Sequence, residues 1–417
     1  MTRTDPDTQH LFVIAGEASG DLHASALVRE LSVRDPRLRF SGIGGARLQD
    51  AGLELLHHSD QLSFMGFAEV IRHLPYLRRV MRDVRLFLEE YRPALVILVD
   101  FPAFNLRVAR IARELGLHVL YYIAPQVWAW HEERVATLAE VTDVIACVLP
   151  FEKQFFDEKG KTYGVEPAAR FVGHPLIDGA RPSIGPSAFR DEMLLPGNAE
   201  ILALLPGSRI QEISRLLPPM AGAARIAGES RPELIPVIAA APGIPDSVYD
   251  QVLARSGERR APSVPPGGRY RPEDGLHLSR GCTYDLLEAA RGALVASGTA
   301  TLETGLLETP MVIAYRMSRL SWWISRRRVK VEHVGLVNLV AGKRLIPELL
   351  QEAVTPQMLA DHLAPFLEEG SVRDEIVAGL HLVRERLGGG GATARTADIA
   401  LELLENRATG SAGEDLP

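Results

Sequence analysis

The sequence of 417 residues contains only two cysteines, Cys147 and Cys282, and neither has a partner at metal-ligand spacing. This scarcity argues against a disulfide framework and against a zinc site. The chain also has no apolar run close to the roughly 18 residues that a membrane-spanning helix requires. Its start lacks a basic leader followed by an apolar stretch and a cleavage site, so we expect a cytoplasmic protein that contacts membranes only from the side.

The chain also lacks the excess of positive charge that is typical of nucleic-acid binding, since its net charge is −7 at pH 7. Nucleic acid is therefore not expected as a partner. Hydrophobic residues make up 46% and charged residues 24% of the sequence, which are the proportions of an ordinary globular protein. The length predicts two domains.

Short apolar runs recur along the chain, each ending in glycine, proline or polar residues and each followed by a helical pattern. We predict strands at residues 10–16, 39–42, 94–99, 118–123 and 144–148, and again at 201–205, 234–240, 293–296 and 310–315. Strands that alternate with helices predict parallel sheets covered on both faces. The predicted fold class is α/β, with two Rossmann-like, doubly wound domains facing each other across a cleft.

A Pro/Gly-rich stretch at residues 173–197 separates the two series of strands, and we interpret it as the linker. We place the first domain at residues 1–178 and the second at residues 179–390. A helix predicted at residues 392–406 could pack back on the first domain. Residues 407–417 are expected to form a disordered tail.

Ligands of an open parallel sheet bind beyond the carboxyl ends of its strands, so the residues there are the candidates for function. After the first strand, Glu17, Asp21 and His23 are crowded into one turn. Ser19 or Asp21 could cap the helix that follows, but so many polar groups exceed what capping needs and favour a function. Asp100 ends another apolar strand, where it could cap the next helix or take a proton from an attacking hydroxyl.

Gln126 lies beside two tryptophans, Trp128 and Trp130, in the segment that follows a predicted strand. Aromatic faces suit sugar rings or acyl chains, but paired tryptophans also occur in cores, so both interpretations stay open. We include Gln126 and Trp128 among the candidate substrate contacts. For His174, a structural role is favoured over a catalytic one.

Two turns in the second half have the composition of anion sites at helix N-termini. The first ends in Arg209, and its backbone N–H groups and guanidinium match a diphosphate. The second consists of Ser297, Gly298 and Thr299, whose small side chains let a phosphate approach. Glu303, one turn later, can accept both hydroxyls of a ribose. Neither turn is the lysine-bearing P-loop, which disfavours ATP hydrolysis.

Six strings in the sequence occur in an order that resembles the lipid-A-disaccharide synthases, a family of inverting glycosyltransferases with the GT-B fold. The strings are AGEASGD, PQVWAW, GHPL, LPGSR, SGTATLE and NLVAG, and with PELLQ, which belongs to the last motif of the family, they run from residue 15 to residue 351. The resemblance implies transfer of a diacylated glucosamine from its UDP-linked form to the 6-hydroxyl of a diacylated glucosamine 1-phosphate. UDP is released, and neither a metal nor another cofactor is implied.

The resemblance also implies roles for individual residues. Asp100 would be the general base, although Glu17 and His23 stay open as alternatives. Glu17, Ser19 and His23 would lie near the acceptor and the reacting sugar. The residues that would hold UDP or close over the donor are Arg209, Ser297, Gly298, Thr299, Glu303, Asn338, Glu348 and Gln351.

Acylated substrates require an apolar surface, because each buried methylene contributes about 0.8 kcal/mol. Residues 316–330 carry six basic residues and no acidic one around Trp322 and Trp323. This composition favours contact with the anionic lipid surface of the inner membrane. A second candidate is one face of a predicted helix, for which ordinary packing into the core is favoured over contact with acyl chains. This face consists of Val70, Leu74, Leu77, Met81, Val84 and Leu88.

Two other functions are compatible with the sequence. Another GT-B enzyme or a UDP-sugar epimerase would keep the nucleotide site but act on an unacylated sugar. A non-catalytic UDP-sugar sensor or membrane scaffold would bind UDP and tolerate Asp100→Ala. The expected partners are thus the UDP-linked acylated donor, the acylated glucosamine 1-phosphate acceptor and the inner-membrane surface, and the sequence also allows a homodimer.

Overall fold

The structure is a computed structural model that describes residues 8–62, 67–261, 274–318 and 332–411. Side chains are described over the same ranges except at residues 61, 67–74 and 407–411. The chain divides into two compact units. The first comprises Met1–Pro175 and Gly389–Pro417, and the second comprises Leu176–Gly388.

A parallel sheet of seven strands forms the centre of the first unit. The strands are β1 (His10–Ala15), β2 (Arg39–Gly44), β3 (Leu53–His58), β4 (Leu95–Val99), β5 (His118–Tyr122), β6 (Val144–Cys147) and β7 (Ala169–Phe171). They lie in the order β3-β2-β1-β4-β5-β6-β7, and every neighbouring pair is parallel. The central strand β4 has the sequence LVILV and is buried throughout, as expected of a strand covered on both faces.

Helices alternate with these strands along the chain. They are α1 (Ala18–Arg34), α2 (Ala46–Asp50), α3 (Phe67–Tyr91), α4 (Pro102–Glu114), α5 (Val127–Trp130), α6 (Arg134–Val141) and α7 (Glu152–Tyr163), with a short 3-10 helix at Ser59–Gln61. None of the helices in the described ranges is both long and apolar enough to cross a bilayer.

The apolar face of α3 packs into the core of the first unit. Val84 and Leu88 are fully buried, and Leu77 and Met81 pack against the same core cluster. The arginines at 78, 79, 82 and 85 are exposed. Ordinary amphipathic packing, the favoured interpretation of this face, is therefore confirmed for its described part, while the side chains of residues 70 and 74 lie outside the described ones.

The C-terminal helix, Ala392–Ser411, belongs to the first unit. Arg395 donates from Nε to the carbonyl oxygen of Val172 at 2.8 Å, and Arg34 of α1 pairs with Asp398. The prediction that the helix ends at residue 406 was wrong, because it continues to Ser411. The next two residues, Arg407 and Ala408, have high helix propensity, so the sequence does not interrupt the helix at that point.

The second unit has a parallel sheet of six strands. The strands are β8 (Glu200–Leu205), β9 (Leu234–Ala240), β10 (His277–Arg280), β11 (Ala290–Ala296), β12 (Met311–Tyr315) and β13 (Glu348–Leu350). Their order is β10-β9-β8-β11-β12-β13. The helices are α8 (Leu176–Gly179), α9 (Pro186–Glu192), α10 (Ile210–Ser230), α11 (Asp246–Arg255), α12 (Thr283–Ala289), α13 (Thr299–Leu306), α14 (Leu336–Ala341), α15 (Pro356–Leu367) and α16 (Ser371–Arg386), with a 3-10 helix at Gln351–Ala353.

The stretch at residues 173–197 is ordered and is not a linker over its whole length. It contains α8 and α9, and from Leu176 it belongs to the second unit. Asp285 holds the segment between these helices, because its carboxylate accepts the backbone N–H groups of Ser183 and Ile184 at 2.6 and 2.8 Å. Proline and glycine therefore mark turns between short helices here, which corrects the sequence interpretation.

The two sheets share one topology. In each, the first strand lies between the second and the fourth, so the chain reverses its direction of winding between β1 and β4 and again between β8 and β11. Two Rossmann-like parallel sheets, as predicted, are confirmed. Ligands of such sheets bind at the carboxyl ends of the two strands that flank this switch point.

Candidate active site

The switch point of the first unit brings Glu17 and Asp100 to neighbouring strand ends. Ala15 of β1 is paired in register with Val99 of β4, so the residues after each strand emerge side by side. Glu17 is the N-cap residue of α1 and is half-buried, as is Ser19 in the first turn. These predicted candidates therefore share one sheet edge.

Asp100 has a backbone conformation that is rare for its residue type. The φ angles of Asp100 and Phe101 are 46° and 49°, in the left-handed region that costs about 1–3 kcal/mol for a residue other than glycine. Two side chains fix the Asp100 carbonyl oxygen, since Asn105 Nδ2 and the Tyr121 hydroxyl both donate to it at 2.7 Å. Phe101, not Asp100, is the N-cap residue of α4.

Asp21 has a structural role that the sequence interpretation missed. Its carboxylate is buried and accepts the backbone N–H groups of Gly45, Leu48 and Arg47 at 2.6, 3.2 and 3.2 Å. It therefore caps α2, which follows β2, and not α1, which contains it. The expectation that Asp21 caps its own helix is corrected, and its carboxylate is occupied by these N–H groups.

His23 and His174 form a buried pair in the first unit. Their rings meet edge to face with centroids 6.4 Å apart. Burial, helped by the positive charge of Arg47, lowers the pKa of His23 to about 4. Burial and the neighbouring His23 lower the pKa of His174 to about 3. Both rings are therefore neutral at pH 7, and a neutral His23 with this pKa is a weak base.

The two tryptophans after β5 have different environments. Trp128 is buried, packs edge to face on Phe151 with centroids 5.1 Å apart, and donates from Nε1 to Glu152 at 3.1 Å. Trp130 is 54% exposed, and Gln126 is exposed as well. The core interpretation fits Trp128, while Gln126 and Trp130 are accessible to a ligand.

In the second unit, Arg209 lies at the end of β8, beside β11. It is the N-cap residue of α10, and its guanidinium donates to Glu212 at 3.2 Å. The other carboxylate oxygen of Glu212 accepts the backbone N–H of Ser208 at 3.1 Å. A Cβ at Gly207, whose φ is 114°, would overlap Glu212. Sequence reasoning missed Glu212, which holds the arginine at the helix start.

The second predicted turn follows β11, across the switch point from Arg209. Gly298 is the N-cap residue of α13, with φ 147°, and Thr299 is its first residue. The Ser297 hydroxyl donates to the carbonyl oxygen of Val334 at 2.9 Å, so it holds a neighbouring loop. Gly298 is exposed, and the predicted phosphate approach stays a prediction.

Glu303 lies one turn into α13 and is half-buried. It accepts a hydrogen bond from the Tyr284 hydroxyl at 3.0 Å. Burial raises the pKa of Glu303, while the bond from Tyr284 lowers it. Tyr284 was not found from the sequence, because its position on α12 gives no sign that it reaches α13.

The last motif organises loops of the second unit. Asn338 Nδ2 donates to Glu348 and to the carbonyl oxygen of Ile346 at 2.8 Å each, and Asn338 Oδ1 accepts the Ile346 N–H at 2.8 Å. Glu348 also accepts the N–H groups of Val334 and Gly335 at 3.0 and 2.9 Å. These polar atoms therefore support the loop that Ser297 also contacts.

Gln351 is buried, with a positive φ of 53°. In the side-chain orientation that satisfies both the NH2 group and the oxygen of its amide, the NH2 group donates to the carbonyl oxygen of Met317 and the oxygen accepts the Met317 N–H, at 3.1 Å each. Within the ranges that the structure describes, no group of three or more His, Cys, Asp or Glu side chains is arranged to hold a metal ion.

Solved structures similar to this chain share its fold. The UDP-bound structure of MnaA from S. aureus superposes with a TM-score of 0.61 at 11% identity, covering 93% of this chain and 94% of that one. The calicheamicin glycosyltransferase CalG4 superposes with a TM-score of 0.57 at 16% identity, covering 98% and 100%. At these identities the likeness concerns the fold, which is of the GT-B type, and does not separate glycosyltransferases from epimerases.

Comparison of sequences, in contrast to comparison of folds, distinguishes between these two classes of enzyme. The profile of the family described as Lipid-A-disaccharide synthetase matches residues 11–390. A lipid-A-disaccharide synthase of Myxococcus xanthus is 40% identical over 394 residues, which cover 94% of this chain and 97% of the relative. Another, from Geobacter sulfurreducens, is 36% identical over 405 residues, covering 96% and 99%. The chain therefore belongs to the lipid-A-disaccharide synthase family of glycosyltransferases.

Proposed function

We propose that this protein condenses UDP-2,3-diacylglucosamine with 2,3-diacylglucosamine 1-phosphate to give the β-1,6-linked lipid A disaccharide 1-phosphate and UDP. Membership of the family over residues 11–390 is the observation that carries the proposal. The positions of Asp100 and Arg209 support it, because each lies at the switch point of its own sheet, where ligands of this fold bind.

In this proposal the second unit binds the donor. Arg209 and the N–H groups at the start of α10 bind the diphosphate, and the start of α13 at Gly298 and Thr299 contributes further N–H groups. Glu303, oriented by Tyr284, accepts the ribose hydroxyls. Asn338, Glu348 and Gln351 act indirectly, by holding the loops beside the donor.

The first unit supplies the base. Asp100 removes the proton from the acceptor 6-hydroxyl, and its fixed backbone supports this role because a base must be held in a defined geometry. Glu17 and Ser19 contact the acceptor or the reacting sugar. The low pKa of His23, about 4, favours Asp100 over His23 as the proton acceptor.

The reaction is a single displacement. The deprotonated hydroxyl attacks the anomeric carbon of the donor while the bond to UDP breaks, so the configuration at that carbon inverts. The transition state has oxocarbenium character, as in inverting glycosidases. Arg209 and backbone N–H groups stabilise the negative charge that develops on the leaving diphosphate.

The experiment is an assay of UDP release with acylated and deacylated forms of donor and acceptor. We expect turnover only with the acylated pair. Asp100→Asn should lower kcat by about a hundredfold or more while UDP binding is retained, because only the base is lost. Arg209→Ala should weaken UDP binding itself. UDP binding without turnover would identify a sensor, and conversion of the donor without acceptor would identify an epimerase.

Peripheral contact with the inner membrane, on the cytoplasmic side, is a further part of the proposal. Residues 319–331 lie outside the described ones, so the support comes from their basic and aromatic composition. The guanidinium of Arg316 keeps its positive charge but is held against the chain, because it donates to the carbonyl oxygens of Gln351 and Val354. Neutralising Arg326, Arg327 and Arg328 should lower binding to anionic vesicles and leave UDP binding unchanged.

A further inference from the structure

Glu152 is the first residue of α7, and only 1% of its surface is exposed. Three N–H groups donate to its carboxylate. They are the indole Nε1 of Trp128 at 3.1 Å and the backbone groups of Val148 and Leu149 at 3.0 and 2.9 Å. Oε1 accepts from the indole and Oε2 from the backbone, so both oxygens are used. An amide in this place would turn its NH2 group toward a donor.

The carboxylate joins two loops that follow neighbouring strands. Trp128 lies in the loop after β5, the two backbone donors lie in the loop after β6, and these strands are paired. Helix α5, which carries Trp128, has only 4 residues, so its own hydrogen bonds hold it weakly. The bond to Glu152 therefore fixes the segment that presents the exposed side chains of Gln126 and Trp130.

Glu152 also interacts electrostatically with Asp100, which follows β4, the neighbour of β5. Burial raises the pKa of Glu152 to about 7, the three hydrogen bonds oppose this shift, and the negative charge of Asp100 adds to it. The interaction is mutual, so the charge of Glu152 also acts on the carboxylate that is proposed to accept the proton. The pKa of the buried Cys147 thiol is also raised, mainly by burial and in addition by the negative charge of Glu152.

We infer that Glu152 is a positioning residue for the transfer reaction, since one buried carboxylate fixes the loop after β5 and places negative charge within electrostatic reach of Asp100. The inference rests on the proposed role of Asp100 as general base. An amide at this position leaves at least one of the three buried N–H groups without an acceptor and removes the negative charge that interacts with Asp100, while the donor site of the second unit keeps all of its residues.

The test compares variants of the full chain. Glu152→Gln removes the charge and Glu152→Asp keeps it on a shorter side chain. Trp128→Phe removes the indole N–H together with one ring of a buried side chain that packs on Phe151. Glu158→Gln is the matched control, because Glu158 is an exposed glutamate of the same helix that accepts from Gln154. Thermal unfolding, UDP binding by calorimetry, and kcat and KM for UDP release at a series of pH values are measured for each.

We expect Glu152→Gln to bind UDP as the unaltered chain does, while its kcat falls by about tenfold or more. The unaltered chain should show kcat rising through a pH of about 7 as Glu152 ionises, and this rise should disappear in the variant. Glu152→Asp should recover part of kcat. Trp128→Phe should lower kcat but keep the pH dependence, since the charge remains, and Glu158→Gln should change neither.

An unchanged kcat and pH profile in Glu152→Gln would overturn the inference, as would a loss of activity that only follows a loss of folded protein. If Glu152→Gln does not fold, Trp128→Phe decides, and an unaltered kcat in that variant overturns the inference. Absence of UDP binding and turnover in the unaltered chain would overturn the proposed function and the inference with it. Normal turnover there, with no effect of the variants, overturns only the inference.

Discussion

Tyr121 is a buried residue of β5 whose hydroxyl donates to the carbonyl oxygen of Asp100 at 2.7 Å. We predict that Tyr121→Phe lowers the stability of the first unit by about 1 kcal/mol, the usual contribution of one such bond. It should also lower kcat for UDP release, because the left-handed backbone at Asp100 loses one of its two side-chain supports. Unfolding by calorimetry and the transfer assay measure the two effects.

The matched control is Tyr249→Phe in the second unit. The hydroxyl of Tyr249 is also buried and also bonds to the backbone, accepting the N–H of Ala241 at 2.8 Å. This variant should lose a similar amount of stability without a direct effect on kcat. Equal losses of kcat in the two variants would mean that Tyr121 contributes only to folding.

The buried histidines predict how the stability of the first unit depends on pH. The pKa values of His23 and His174 are lowered from 6.5 to about 4 and about 3. As pH falls below 6.5 the unfolded chain binds protons that the folded unit excludes, so the free energy of unfolding decreases until the folded pKa values are reached. We predict that His174→Gln makes this decrease shallower, by an amount on the order of a few kcal/mol at the acid end.

Calorimetric unfolding at several pH values checks the prediction. His381→Gln is the control, because His381 is an exposed residue of the second unit whose pKa is raised by the hydrogen bond and charge of Glu308. That variant should leave the acid dependence of the first unit as it is. If the free energy of unfolding fell equally steeply with pH in His174→Gln and in the unaltered chain, buried His174 would not be a source of the acid dependence.

Single residues also show what the sequence could and could not predict. Asp100 and Arg209 could be proposed from the sequence, because each directly follows a recognisable apolar strand or ends a motif string. By contrast, the hydrogen bond between Asn338 and Glu348 joins separate segments of the chain. The hydrogen bonds that the carboxylate of Glu152 accepts do so as well. Spacing along the chain carries no signal for such contacts. The sequence therefore placed Asn338 and Glu348 near the donor without showing their internal bonds, and it gave Glu152 no role.

At the scale of elements, the strands missed from the sequence are the four edge strands of the two sheets, β3, β7, β10 and β13. Every predicted strand lies in a sheet interior. Interior strands are covered on both faces and read as continuous apolar runs, such as ILALL at residues 201–205. Edge strands are short or half-exposed, as in β7 and β13 with 3 residues each, so their sequences contain no such run.

The junction of β1 and α1 allows a prediction for an element. A Cβ at Gly16 would overlap the ring of Phe101, the residue that continues the strained backbone of Asp100. We predict that Gly16→Ala destabilises the first unit by about 1–3 kcal/mol, as overpacking does, and lowers kcat by shifting Asp100. Calorimetry and the UDP release assay measure these changes.

Gly228→Ala is the control for this substitution. Gly228 lies in α10, and nothing approaches within 4 Å of a Cβ placed there. Helix propensity predicts that this variant is neutral or more stable by up to about 1 kcal/mol. If Gly16→Ala retained full stability and kcat, the turn after β1 would not constrain Asp100.

At the scale of the whole molecule, the chain leaves the first unit at Pro175 and returns to it at Gly389. The returning helix, Ala392–Ser411, buries several apolar side chains, namely Ala392, Ala397, Ile399, Ala400, Leu403 and Leu404. It packs against α1, the helix that begins at the candidate acceptor side. The stability of the first unit therefore depends on residues that follow the second unit in the chain.

We predict that deletion of residues 389–417 lowers the unfolding temperature of the first unit and spares the second. Burial of each Leu or Ile contributes about 1.5–3 kcal/mol, so the loss is comparable with the whole stability of a domain. Calorimetry should show one transition shifted and one kept, and UDP should still bind, because Arg209 and Glu303 belong to Leu176–Gly388. Deletion of residues 412–417 alone is the control and should change neither transition. A truncated chain that loses UDP binding while its second unit stays folded would show that donor binding requires the first unit, contrary to the assignment made above.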